Sequence, residues 1–441
     1  MDPAGSSTIC QSSNQDIRPV ACNQFTPANH YNNMEDQEKY LRSKNNRGFR
    51  RIILNFTPSW FAITMGTGIT SILLHNLPYN ARWLYYLSII IFCLNVLLFS
   101  TFLTISILRY IMFPGIFTTM LKHPVQSLFL GTFPMGLATL INMIVFVCVP
   151  AWGHGAVTLA WTLWWINVVL SLTTALYLPF TIINVHHNEL SNMTAIWLLP
   201  IVAPIVAAAS GGIVAEVLSD PQHALWTVIT SYVLLGTGFP LAMMLLTMYF
   251  HRLTIHHLPP REVIVSVFLP LGPLGQGSFA LMQLGKCALK IFPKVNAFPF
   301  LANNNNNVEI GAVFFAVGHL VGLVIWGFGL VWLFFALASI SRSKFPFNMG
   351  WWGFTFPLGV YAVSTCAIAQ DLPSDFLKVI GTGLSVAVVL LWVGVGFETA
   401  RRAVRGEIFF APCVQAYEVE RAARRVEKER QQSRGERDAV E

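Results

Sequence analysis

The chain carries a series of near-continuous apolar runs, each close to the twenty or so residues a helix needs to cross a bilayer. Lipid offers no partner to a backbone N–H or C=O, so a spanning run must close its hydrogen bonds internally, as a helix does. Ten runs fit, at about 57–76, 83–108, 125–149, 157–183, 194–216, 224–250, 263–290, 308–338, 346–369 and 376–399. Only 11% of the 441 residues are charged, against about 25% in an ordinary soluble domain. The expected fold is all-α and integral to the membrane, with ten transmembrane helices across residues 51–400.

Two polar tails flank this domain. Residues 1–50 are rich in Ser, Asn, Gln and charge, and read as a disordered cytosolic tail. Residues 401–441 are basic and then mix Glu with Arg and Lys over Glu418–Arg437, which reads as a solvated cytosolic helix. Of the 28 Lys and Arg, 7 precede Asn55 and 10 follow Glu398, leaving 11 for the apolar middle. Loops on the side of the tails carry Arg109, Lys122, Arg252, Arg261, Arg342 and Lys344. The opposite loops carry Arg82, Lys286, Lys290, Lys294 and Lys378. The loops nearly balance, so the tails decide the orientation and both termini are expected in the cytosol. The net charge of +7 thus reflects membrane topology, and no nucleic-acid partner is expected. The start, Met1–Ser6, lacks the basic-then-apolar pattern of a signal peptide. The sequons at Asn55 and Asn192 fall on the cytosolic side and should go unused. The Asn303–Asn307 run falls in an outer loop and reads as a linker.

Helix breakers concentrate in alternate spans. The first has Met65-Gly66-Thr67-Gly68 after Pro58. The third has Gly131-Thr132-Phe133-Pro134-Met135-Gly136. The fifth has Pro200, Pro204 and Ser210-Gly211-Gly212. The seventh has Pro270-Leu271-Gly272-Pro273-Leu274-Gly275-Gln276-Gly277, and the ninth Phe354-Thr355-Phe356-Pro357-Leu358-Gly359. The even spans are mostly free of interior proline and rich in Leu, Val, Phe and Trp. This alternation suggests five quasi-symmetric helical hairpins around a central pore, with broken odd helices inside and regular even helices facing lipid.

No Asp, Glu, Lys or Arg lies deep in an odd span, so neither a carboxylate relay nor a cation-selective ring is present. A small anion could instead be met by backbone N–H groups and neutral side chains. Candidate lining positions are Gly66, Thr67, Gly68, Phe133, Pro134, Pro200, Pro204, Ser210, Gly211, Pro273, Gly275, Gln276, Gly277, Ser278 and Pro357. Lys286 reads as an interfacial lysine snorkelling to water. His319 should pair within the bundle, and Gly318-x-x-x-Gly322 should serve helix packing. The seven cysteines form no close pair. No phosphate loop, metal-ligand cluster or nucleophile elbow appears, so neither cofactor, metal nor enzymatic activity is expected.

Pro58-Ser59-Trp60-Phe61-Ala62-Ile63-Thr64-Met65-Gly66-Thr67-Gly68, Gly272-Pro273-Leu274-Gly275-Gln276-Gly277 and Trp351-Trp352-Gly353-Phe354-Thr355-Phe356-Pro357 resemble the tellurite-resistance/dicarboxylate transporter family. That family includes plant slow anion channels and fungal malic acid permeases. Over about residues 50–410, the likeness is greatest to its fungal sulfite-exporting branch. The resemblance implies a pore lined by the odd helices, a trimer with one pore per subunit, and a gating phenylalanine in the ninth helix. That role falls on Phe356, with Phe354 in reserve. It also implies a plasma-membrane exporter of sulfite. The alternative is a proton-coupled carrier of malate or other C4 dicarboxylates.

Overall fold

The computed structural model describes residues 48–185, 189–298, 309–418 and 421. Most of the N-terminal tail, His186-His187, the Asn303–Asn307 run and nearly all of the Glu418–Arg437 segment lie outside these residues. Residues 48–441 group as one compact unit, and helices and connecting turns account for its described part, with no strand among them.

Ten helices matter here: α1 (Phe61–His75), α2 (Arg82–Met112), α3 (Thr132–Met143), α4 (His154–Asn184), α5 (Leu198–Val217), α6 (Pro221–His256), α7 (Leu271–Ile291), α8 (Ile310–Ser341), α9 (Trp352–Asp371) and α10 (Asp375–Arg405). A π-helical turn, Ile144–Cys148, extends α3. Nine helical segments among the described residues are long and apolar enough to cross a membrane, and α1 is not one of them. Its 15 residues span about 22 Å, and the turn Pro58–Trp60 leads into it.

The odd helices close a ring, α1 on α3, α3 on α5, α5 on α7, α7 on α9 and α9 back on α1. Each even helix packs outside it: α2 on α1, α4 on α3 and α5, α6 on α5 and α7, α8 on α7, and α10 on α9 and α1. Burial follows the same division. The windows of the spans that contain α3, α5, α7 and α9 are 72–100% buried, whereas those of the five even helices are 22–33% buried. Large exposed apolar side chains such as Leu97, Val324, Phe334 and Leu390 sit on even helices, and none falls within α1, α3, α5, α7 or α9.

Each inner helix begins in the same way. A 3₁₀ turn precedes it: Pro58–Trp60, Ser127–Gly131, Ala195–Trp197, Arg261–Phe268 and Met349–Trp351. Successive turns touch, first to second and so on to the fifth. All five inner helices therefore start at one end of the ring and run parallel. Proline is the third residue of α3 (Pro134), α5 (Pro200) and α7 (Pro273). In a first turn the missing N–H would have had no helical partner. Only Pro204 and Pro357 lie in inner-helix interiors, and the helices continue through both. The expected mid-membrane break is thus corrected: the irregularity is a turn at the helix entrance. Two outer helices also carry interior proline, Pro179 in α4 and Pro240 in α6.

Arginines from the outer helices fix three entrances, Arg109 and Arg252 buried and Arg402 partly exposed. Arg109 Nε donates to Leu54 O at 3.0 Å, Arg252 Nη2 to Ser191 O at 3.0 Å and Arg402 Nη1 to Phe347 O at 3.4 Å. Each carbonyl lies just ahead of the inner helix that pairs with that arginine's own helix. The start of the C-terminal segment packs at the same end. Phe409 stacks on Trp60 at 5.0 Å, and the Ala411 N–H donates to Asn55 Oδ1 at 3.0 Å. Asn55 also donates to Arg51 O and is buried, which leaves no room for a glycan in this fold.

Candidate functional site

Where the ring closes there is a small cavity, and every inner helix or its entrance reaches it. Met65 comes from α1, Met135 from α3, Leu198, Leu199 and Val202 from α5, Leu269 and Gly272 from the start of α7, and Phe356 and Pro357 from α9. Its volume is about 20 Å³, roughly the room one water needs. The walls are hydrocarbon, thioether and one aromatic ring. Such a constriction excludes a hydrated ion unless a side chain moves.

The two phenylalanine candidates separate cleanly. Phe354 packs edge-to-face on Phe268 at 4.9 Å and lies against Trp351 and Phe345. It belongs to the joint between the entrances of α7 and α9. Phe356 has no ring partner among the described aromatic pairs and borders the cavity. Two residues on a helix point about 200° apart, so only one of them can face the axis.

Most of the other predicted lining residues face neighbouring helices. Thr67 Oγ1 donates to Ile63 O and accepts from Trp392 Nε1 of α10 at 3.1 Å. Ser278 Oγ donates to Gly322 O of α8 at 2.7 Å and accepts from Ser364 Oγ of α9 at 2.9 Å. Phe133 packs on Phe61 and Phe99, and Pro204 lies against Gly238 of α6. The glycines mark close approach. A Cβ on Gly275 would sit 2.7 Å from Tyr361 Cα of α9, and one on Gly277 2.7 Å from the Phe239 ring of α6. One on Gly66 would strike Thr355, on Gly68 Thr139, and on Gly211 Ser231. Pro134, Pro200 and Pro273 are buried in first turns. Of the residues singled out from sequence, Phe356 and Pro357 border the cavity. Ser210 and Gln276 are buried without hydrogen-bond partners.

The family model for voltage-dependent anion channels matches residues 55–400, the same stretch that forms the double ring. The chain belongs to the voltage-dependent anion channel family. Proteins named sulfite efflux pump from Arthroderma benhamiae and Trichophyton rubrum are each 50% identical over 357 residues, covering 81% of this chain and 93% of theirs. A malic acid transport protein of Schizosaccharomyces pombe is 25% identical over 340 residues, covering 77% of this chain and 76% of its own.

In this anion-channel fold, sequence reasoning missed the other cavity residues, because Met65, Met135, Leu199 and Val202 look like any core side chain. It also missed a carboxylate. Asp371, the last residue of α9, accepts from Lys286 Nζ of α7 at 2.8 Å and contacts His319 Nε2 of α8 at 2.7 Å. His319 Nδ1 lies 2.9 Å from Phe315 O, so this histidine does pair within the bundle. Lys286 is corrected: it is half of a largely buried ion pair and does not snorkel free. The signal was available, since a lysine and a histidine near one membrane face need a counter-charge, and Asp371 stood at the end of the next inner span.

Proposed function

We propose that this protein exports sulfite, an inorganic anion, across the plasma membrane along the axis of the inner ring, with Phe356 as the plug. The observation that carries this reading is the constriction to which all five inner helices contribute and which one aromatic ring narrows. The half-identical relatives, which are sulfite efflux pumps by name, supply the substrate. The parallel inner helices add five positive macrodipole ends at the entrance face, which favours an anion arriving from that side. With both termini in the cytosol, that face is cytosolic. The membrane potential then contributes about 2.3 kcal/mol per charge per 100 mV toward expulsion, and no catalytic step is required. Counting α1 with its entrance turn, the reading has ten spans in five hairpins. Polar cytosolic tails flank them over residues 1–50 and 401–441. Subunits associate through outer helices as a trimer, one path per subunit, within the lipid bilayer.

A dicarboxylate reading draws on the malic acid relative, at half the identity. The separating measurement is flux through the purified protein in liposomes, with sulfite, malate, nitrate and chloride compared side by side. Sulfite flux above malate is expected. Malate flux without sulfite flux would overturn the proposal, as would unchanged sulfite release and tolerance in cells lacking the gene.

A further inference from the structure

Beyond Phe356 the axis changes character. The cavity residues fix which face of each inner helix looks inward, and a helix returns to that face after about 7 or 11 residues. Seven residues on from Met135 is Asn142. On α5 the steps from Leu199 reach Val206 and Ser210, and those from Val202 reach Ala209 and Ile213, so Ser210 stands at the edge of the facing stripe. Seven on from Leu269 is Gln276, and eleven on from Gly272 is Gln283. The same steps from Phe356 reach Val363 and Ala367, and from Met65 reach Ile72 and then Asn76, the residue that caps the end of α1. One wall of the path, from α3, α5 and α7, thus carries amides and a hydroxyl. The other, from α1 and α9, is hydrocarbon as far as Asn76.

These four polar side chains also differ from the rest in their bonding. Thr64, Thr70, Ser71, Thr139 and Thr365 of the inner helices all bond a backbone oxygen. By contrast, Ser210 Oγ and Asn142 Oδ1 are buried with no partner, and Gln276 and Gln283 make no hydrogen bond either. Ser210 is fully buried and the three amides are 5–7% exposed. Buried polar groups are nearly always paired. Other buried atoms among the described residues also lack partners, such as those of Asn167 and Ser171 on α4. What sets Asn142, Gln276 and Gln283 apart is their phase with the cavity residues, which points to a ligand on the axis.

Resting on the reading of the axis as an anion path, we infer that Asn142, Ser210, Gln276 and Gln283 form a binding station for a singly charged oxyacid anion that keeps one proton. Amide N–H and hydroxyl groups donate to the anionic oxygens, and an amide oxygen such as that of Asn142 accepts the anion's own O–H. Desolvation rises steeply with charge, and no unmatched cation is available to offset a dianion. Lys286, one turn beyond Gln283, is already matched by Asp371 at 2.8 Å. The station therefore takes hydrogensulfite and rejects dianionic sulfite and dicarboxylates.

The test uses the full chain in liposomes on a Phe356→Ala background, so that the plug does not limit flux. Hydrogensulfite, at a pH where the monoanion dominates, is compared with chloride, which has no proton to donate. Asn142→Leu and Gln283→Leu should each cut hydrogensulfite flux about tenfold, the worth of one good hydrogen bond to a charged group, and lower chloride flux by less, because chloride loses a donor but has no proton to offer the amide oxygen. Ser210→Ala, nearly the same size, should lower the ratio about threefold in the same direction and keeps the test readable where a leucine variant fails to fold. Equal losses for both anions, or none for either, would overturn the station and leave the path intact. A background that passes no anion at all would overturn the path itself, and the station with it.

Discussion

The inner and outer helices are both apolar, yet they meet opposite surroundings. An outer helix such as α10 shows most of its surface to lipid and needs little beyond apolar character. An inner helix such as α5 is buried from Leu198 to Ala215 and must fit neighbours on both sides, a third helix behind it and the axis in front. The difference lies in the small residues and in which polar atoms are paired. Gly327, Gly383 and Gly394 on outer helices face open space, and the outer glycines that do meet a neighbour, such as Gly311, Gly318, Gly322 and Gly329 of α8, meet the inner helices α7 and α9. Gly66, Gly68, Gly211, Gly275 and Gly277 on inner helices each meet a neighbouring side chain or backbone. Without a hydrophobic drive between helices in lipid, such close approach is a main source of association. Inner-ring glycines hold the ring shut while the side chains between them decide what passes.

That division separates the two phenylalanines most strongly. Phe354→Ala removes a ring packed between two entrances and should cost about 3–5 kcal/mol, seen as a large fall in the thermal unfolding midpoint of the purified protein with no gain in flux. Phe356→Ala removes a ring that closes a cavity, so anion flux per folded molecule should rise about tenfold or more, with a smaller loss of stability because less packing disappears. If Phe354→Ala opens the path and Phe356→Ala does not, the assignment of the plug is reversed.

The glycines give the next largest effect, and here the two rings should differ in sign. Gly275→Ala places a methyl group 2.7 Å from the α9 backbone, where nothing flexible can yield, and should cost about 1–3 kcal/mol. Gly394→Ala on α10 meets nothing within 4 Å and should gain up to about 1 kcal/mol from helix propensity. Equal outcomes for the two, measured by thermal unfolding in one detergent, would show that the glycines are not packing positions.

Much of this arrangement was legible in the sequence. Breakers concentrated in the odd spans mark the helices that now form the ring, although Pro179, Pro240 and the close-approach glycines of α8 show that outer helices carry some too. What the residue types could not express was direction. Gly275 against a backbone and a glycine lining a path are the same letter, and only the neighbour tells them apart. Phe354 and Phe356 flank one threonine in the same motif, and the phase of α9 alone selects between them. Pro134, Pro200 and Pro273 looked like interruptions because their distance from the true helix start was unknown. Once Thr132, Leu198 and Leu271 are seen to begin the helices, each proline falls in a harmless first turn. Asp371 escaped notice because an apolar run was taken to stop two residues before it.

The smallest effect isolates how the outer ring grips the inner one. Trp392 of α10 donates its indole N–H to Thr67 of α1 at 3.1 Å, while Trp332 of α8 is equally large, buried, stacked on Tyr249 at 5.9 Å, and leaves its indole N–H without a partner. Trp332 is 3% exposed and Trp392 only partly buried, so tryptophan-to-phenylalanine loses more packing at Trp332 and the apolar loss works against the comparison. The opposing difference is the hydrogen bond, worth about 0.5–1.5 kcal/mol when made and a penalty when a buried donor has none. Trp392→Phe should therefore lower the unfolding midpoint more than Trp332→Phe, which also relieves an unpaired donor. A larger loss at Trp332 would mean that indole stacking, and not the bond to Thr67, governs how outer helices are held.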